Sequence, residues 1–165
     1  MRRSYSVHEM RDYLARRTDR EGHVGEVLKK LKKFQYLDDA RYARDYTRIH
    51  AEQRRQGKFR IARELRGRGV PDRHIEAALE TVFAETDEAA LVRSRIERRL
   101  RQIKGSLDDP FDEKTRASLY RNLLRAGFSS DLIRAELRAA TKTVPAENAG
   151  ADAADLPDPP PPDDI

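Results

Sequence analysis

The stretch Leu65-Arg66-Gly67-Arg68-Gly69-Val70-Pro71-Asp72-Arg73-His74-Ile75-Glu76-Ala77-Ala78-Leu79 decides the fold, because the chain uses its frame a second time. Leu123, Gly127, Phe128, Ile133 and Leu137 stand at the spacings of Leu65, Gly69, Val70, Ile75 and Leu79, without a gap. Ile61 and Leu119 precede each leading leucine by one helical turn. The frame reads as helix, turn, helix. Apolar residues four apart share a helical face. A glycine just past a helix end takes the left-handed conformation at no steric cost. The apolar residue after it folds back onto the pair. Met10, Leu14, Val24 and Leu28 keep the same spacing, with Thr18 and Asp19 in place of the Gly–apolar pair. Such self-similarity is the signature of a helical repeat array.

The remaining apolar positions supply the other helices. Ser6-x-x-Glu9 is a capping box; Met10, Tyr13 and Leu14 follow it, and Val24, Val27, Leu28 and Leu31 form the next stripe. Asp38-Asp39 opens a third helix, expected to reach Arg55, with Tyr42, Tyr46 and Ile49 on its buried face. Pro71 suits the start of the fifth helix, where a missing N–H costs nothing. A sixth helix runs from about Thr86 to Lys104 through Val92, Ile96, Leu100 and Ile103, with Asp87 and Glu88 at its positive end. Gly105 to Pro110 is a break. The expected architecture is all-α: tandem helix–turn–helix units, the first two with a third helix. Periodicity divides it into repeat one (1–54), repeat two (55–107) and repeat three (108–142), the last short of a final helix. The predicted repeat core is Met10, Leu14, Val24, Leu28, Tyr42, Tyr46, Ile61, Leu65, Val70, Ile75, Leu79, Leu119, Leu123, Phe128, Ile133 and Leu137.

Composition agrees with a thin core shared between amphipathic helices: 38% of residues are hydrophobic and 38% charged. The absence of cysteine excludes a disulfide framework, a Cys-ligated zinc site and a thiol nucleophile. No secretory signal and no window near the ~20 apolar residues of a membrane span is present, so the expected setting is the cytoplasm. Six of the 29 acidic residues and none of the 34 basic ones follow Lys142, so residues 1–142 carry +11 and the tail −6. That tail, 143–165, also holds six of the eight prolines and is expected to be disordered.

The chemistry-bearing residues do not assemble into a catalytic set. His8, His23, His50 and His74 are scattered singly, and no phosphate loop or nucleophile motif is present. No cofactor is expected, and the chain is expected not to be an enzyme. Asp38-Asp39 reads as a helix cap rather than a carboxylate pair.

Three stretches resemble the RecX family, regulators of the RecA recombinase: Arg3-Ser4-Tyr5-Ser6-x2-Glu9-Met10-Arg11-x2-Leu14; Leu37-Asp38-Asp39-x2-Tyr42-Ala43-x2-Tyr46; and Gly57-Lys58-Phe59-Arg60-Ile61-x2-Glu64-Leu65-x3-Gly69-Val70. The resemblance covers roughly residues 3 to 140. It implies tandem three-helix, helix–turn–helix-like repeats in an elongated, curved monomer, binding in the groove of the RecA–single-stranded DNA filament, and restraint of filament growth, strand exchange, ATPase and coprotease activity. Departures from the family pattern are the missing glycine at the first turn, Gln35-Tyr36 before Leu37, and the acidic tail.

Arginine is the abundant binding residue. On the third helix Arg41, Arg44, Arg48 and Arg55 project within about 60° of one another at ~100° per residue. They form either a docking stripe for phosphates and acidic groups or a solvated face knitted by Arg41–Asp45 and Arg48–Glu52 pairs. Arg54, Arg55, Lys58, Arg60, Arg63, Arg66 and Arg68 follow with Glu64 as the one acid among them, a density that self-repulsion penalises and binding would explain. These residues are the expected filament- or DNA-facing surface. Arg93, Arg95, Arg98, Arg99, Arg101 and Lys104 make a second basic run. The expected partners are the RecA nucleoprotein filament and, weakly and without sequence preference, single- or double-stranded DNA. A free-standing DNA-binding helix–turn–helix protein is the alternative, and a scaffold for an unrelated acidic protein a third.

Overall fold

The computed structural model describes residues 4–18, 21–103 and 112–143. The expected break at 105–110, Lys104 and the tail beyond Thr143 lie outside the described residues. Within them the chain is all-helical: α1 (Val7–Ala15), α2 (Glu21–Lys33), α3 (Asp39–Glu52), α4 (Lys58–Gly67), α5 (Asp72–Ala84), α6 (Glu88–Ile103), α7 (Glu113–Arg125) and α8 (Ser130–Thr143).

Local chemistry sets the helix ends. Ser6 closes the capping box on α1, its hydroxyl accepting from Glu9 N while the Glu9 carboxylate accepts from Ser6 N. Asp38 caps α3 through the amides of Ala40 (2.9 Å) and Arg41 (3.0 Å), bonds that hold its carboxyl below the ordinary range. Gly69 (φ 70°) and Gly127 (φ 90°) supply the left-handed residue after α4 and α7. The amides of Val70 and Phe128 then return to Leu65 O (3.1 Å) and Leu123 O (3.3 Å), the six-residue closure of a Schellman turn.

Packing groups these helices into three bodies, in a phase that periodicity alone does not fix. One core joins Ala43 and Ala51 of α3 to Ile61, Ala62 and Leu65 of α4 and to Val70, Ile75, Ala78, Val82 and Phe83 of α5 and its turn. A second joins Val92 and Ile96 of α6 to Leu119 and Leu123 of α7 and to Phe128, Ile133 and Leu137. A small third core, Val24, Leu28 and Leu37, holds α1 to α2 with Met10 and Leu14 half-buried beside it. Helix α3 therefore leads the middle unit and α6 leads the last. The last unit has three helices, and the α1–α2 unit has two.

Two positions depart from the expected helix α3. The helix ends at Glu52 and Arg55 is left-handed (φ 51°), so Arg55 leaves the helical stripe. Ile49 is 45% exposed, whereas Ala43, Thr47, His50 and Ala51 face the core. The small residues of α3 make the close approach to α5, and Tyr42 and Tyr46 flank it half-buried. Val27 and Tyr13 are likewise largely exposed.

The units are joined by one contact made twice. The turn of each later unit seats on the N-terminus of a helix in the unit before it. At the first joint the Ser6 hydroxyl donates to Arg68 O (2.6 Å) and Val7 N donates to the Asp39 carboxylate (2.9 Å). At the second, Gly57 N donates to Ala126 O (2.8 Å), Phe59 N to Gly127 O (3.1 Å), and Lys58 N to the Glu88 carboxylate (3.4 Å). Ser6 and Gly57 are equivalent in the repeat, as are Val7 and Lys58, and Arg68 and Ala126. The free amides that every helix start carries are thus met by the next unit. The approach is close enough to require glycine: a Cβ on Gly57 would lie 2.2 Å from Gly127 O, and one on Gly69 would lie 2.4 Å from His8.

Candidate polyanion-binding site

The joints consume much of the positive charge in the first basic run. Arg68 pairs with Glu9 across the first joint (2.6 Å). Lys58 pairs with Glu88 (3.4 Å), and Arg60 with Glu64 (2.8 Å) and, more weakly, with Arg125 O (3.4 Å) across the second. Arg66 pairs with Asp72 (2.7 Å). The apparent lack of compensating acid between residues 54 and 68 is thus met by Glu64 and Asp72 nearby and by Glu88 and Glu9 far away in sequence. In the second run Arg93 is held by Asp87 and Glu136, both at 3.2 Å.

A half-buried network lies behind these pairs. Tyr46 donates to Glu64 (2.6 Å) and stacks on the His50 ring at 3.8 Å. Burial, then the bond to Glu64, pushes Tyr46 up to about 12. Burial holds His50 below the usual imidazole value, against the raising effect of its 2.6 Å contact with Gln56. Burial would raise Glu64, but the bonds from Tyr46 and Arg60 outweigh it and its carboxyl lies below the ordinary range. Tyr42 OH reaches Glu9 at 3.5 Å. Both tyrosines serve the packing of units.

Within the α3 stripe and the two basic runs, most of the cations left without an ion pair among the described residues fall in two places. Arg44 and Arg48 are exposed on α3, and Arg41, beside them, spends one N–H on Gln35 O (3.0 Å). The expected Arg41–Asp45 and Arg48–Glu52 pairs do not form. Arg63 stands exposed on α4. The second place is a cleft of about 360 Å³ between the end of α3 and helices α6 and α7. There Arg54 and Arg55 of the first run meet Arg95, Arg98 and Arg99 of the second, with Glu52 the one carboxylate in the lining. Arg101 lies exposed further along α6. Sequence treated these as two stripes; the left-handed Arg55 turns the chain so that they converge. Arg95 fixes the arrangement by donating to Arg55 O (3.0 Å) and Arg54 O (2.9 Å). Burial, then Arg98 and Arg55, makes its guanidinium easier to deprotonate than usual.

A further exposed feature gave no sequence signal. Phe34 (64% exposed) and Tyr36 (74%) flank Gln35, which is left-handed at φ 58°, in the turn after α2. Among the described residues no group of three or more His, Cys, Asp or Glu side chains could hold a metal ion, and no helix is long and apolar enough to cross a membrane.

Comparison with known proteins agrees with this organisation. Residues 38–79 match the second three-helix domain of RecX, and this span covers α3, α4 and most of α5. The regulatory protein RecX of Halorhodospira halophila is 38% identical over 139 residues, covering 84% of this chain and 81% of that protein. The regulatory protein RecX of Geobacillus kaustophilus is 33% identical over 138 residues, and there the match spans 82% of this chain and 48% of the longer relative. The crystal structure of RecX from Lactobacillus salivarius superposes with a TM-score of 0.71 at 22% identity, over 85% of this chain and 88% of that one. A helical array whose middle body coincides with a RecX domain, and whose sequence matches RecX across most of its length, belongs to the RecX family.

Proposed function

We propose that this chain regulates the RecA recombinase by binding in the groove of the RecA–single-stranded DNA filament, and that it acts by docking rather than by chemistry. Membership of a family of regulatory proteins supports the reading. The observation that carries it is the division of the arginines. Those at 60, 66 and 68 are engaged in ion pairs within the array, while Arg44, Arg48, Arg54, Arg63, Arg98, Arg99 and Arg101 have no ion pair among the described residues. A series of units presenting free guanidiniums suits a repeating anionic surface. Bound there, it would restrain filament growth, strand exchange, ATPase and coprotease activity.

Sequence-specific DNA reading is less well supported. In a helix–turn–helix the second helix enters the major groove by its N-terminal residues. Here those helices open with Asp72, already paired with Arg66, and with Ser130 and Asp131. A carboxylate there meets phosphates with the wrong sign.

The test is RecA ATPase on single-stranded DNA with and without this protein. Slower hydrolysis, saturating with added protein, is expected; unaltered hydrolysis at saturation would sink the reading. Reversing Arg44 and Arg48 to Glu should weaken the effect while helicity survives. Lys58 and Arg60 belong to a joint, so their reversal would report on folding as well as binding.

A further inference from the structure

The arginine cleft has a composition that packing does not explain. Arg95 is accounted for: it ties the backbone after α3 to α6. Arg55 makes only a 3.5 Å contact with Ser94. Arg54, Arg98 and Arg99 form no hydrogen bond or ion pair with any described residue, although each lines the same cleft. Two come from α6 and one from the segment after α3, so no single helix periodicity places them together. Like charges repel, and nothing in the joint requires three uncommitted guanidiniums there. Gln53, Gln102 and Asn122 add neutral amide donors to the lining.

We propose that this cleft seats the sugar–phosphate backbone of a single nucleic-acid strand, with Arg54, Arg98 and Arg99 as its phosphate ligands. Guanidinium is the side chain suited to this role, because its planar fork matches two phosphate oxygens at once. The volume argues for one strand. A cleft of about 360 Å³ is at the small end of the ~300–1,000 Å³ that molecular ligands occupy. That is room for a short run of a single backbone. The amides can meet sugar or base edges without a fixed preference, so binding is expected to be salt-sensitive and indifferent to sequence.

This inference deepens the reading of the protein as one that acts at a nucleoprotein filament, yet its test contains no recombinase. The full chain is titrated into a labelled 20-nucleotide single strand, and affinity is followed by fluorescence anisotropy from 50 to 200 mM salt. Each phosphate contact on a single strand adds about 0.7 to the slope of log affinity against log salt. Arg54→Gln with Arg98→Gln should therefore lower that slope by about 1.4. Across the fourfold salt range the parent then loses about sevenfold more affinity than the variant. Lys29→Gln with Lys33→Gln removes equal charge from the exposed side of α2, outside every basic face described above, and should keep the parent slope. Arg98→Gln with Arg99→Gln alters one helix only and should match the first variant, with circular dichroism confirming the fold of all three. An unchanged slope in the cleft variants, or an equal fall in the α2 variant, overturns the site. A duplex bound as tightly, with the same dependence on Arg54 and Arg98, overturns the single-strand assignment. Slower RecA hydrolysis with no cleft-dependent strand binding would leave the regulatory reading standing and this one refuted.

Discussion

Gly57→Ala offers the sharpest test of the unit joint, because two effects of the same methyl group have opposite signs. At φ −82° and ψ 167° any residue is comfortable, so the backbone itself gives no objection to alanine. Restricting the unfolded chain should then stabilise the protein by about 0.4–1 kcal/mol. The added Cβ, however, would lie 2.2 Å from Gly127 O and 2.6 Å from Phe128 N, both backbone atoms. A normal contact needs over an ångström more room. Opening the joint that far breaks the bonds from Gly57 N and Phe59 N, now 2.8 and 3.1 Å. A buried donor left without a partner costs about 1–3 kcal/mol, so two cost roughly 2–6. Partial access of water to the opened joint favours the lower half. The expected net loss is about 2–3 kcal/mol, which lowers a urea midpoint by roughly 1 M at a typical slope of about 2 kcal/mol/M. The assay is urea unfolding followed by circular dichroism, with Gly25→Ala as the companion. Gly25 lies inside α2 with nothing within 4 Å of its would-be Cβ, so alanine there should stabilise by about 0.5–1 kcal/mol. A Gly57→Ala protein as stable as the parent, or more so, would refute the close joint.

Three other outcomes follow from the same geometry. Phe128→Ala empties a fully buried site in the last unit and should cost about 3–5 kcal/mol, read as a lower unfolding midpoint. Ser6→Ala removes both the α1 cap and the bond to Arg68 O, and should cost about 1–2 kcal/mol and raise hydrogen exchange across α1. His50 is held below its ordinary pKa, so the folded state favours the neutral ring; this stabilisation is complete above about pH 6.5 and fades as pH falls toward the folded-state value. The melting temperature should therefore drop between pH 7 and 5.5, and His50→Gln should flatten that drop; a parallel profile in the variant would contradict the burial argument.

The residues that stop and start helices were legible in the sequence, since Gly69, Gly127, Ser6 and Asp38 act within a few residues of themselves. The phase of the array was not. A helix lying between two helix–turn–helix motifs reads equally well as the end of one unit or the start of the next. What assigns α3 to the middle unit is the close approach of Ala43, Thr47 and Ala51, small residues that carry little weight in a hydrophobic pattern. The role of each arginine was hidden for a different reason. Arg68 and Glu9 are 59 residues apart, and Lys58 and Glu88 are 30 apart, so local counting saw charge without compensation where the fold supplies it. Nor could composition announce a left-handed Arg55, which ends the helical stripe and brings two basic runs to one cleft.

The repeated joint carries a grammar of extension and termination. A turn can receive the helix of a preceding unit only if a left-handed glycine lets the two backbones approach, as Gly69 and Gly127 do. At the equivalent position of the first turn stands Thr18, a β-branched residue that does not take a positive φ. A unit placed ahead of α1 would meet no glycine at this position. Replacing Thr18 with glycine is therefore the minimal edit for extending the array in that direction.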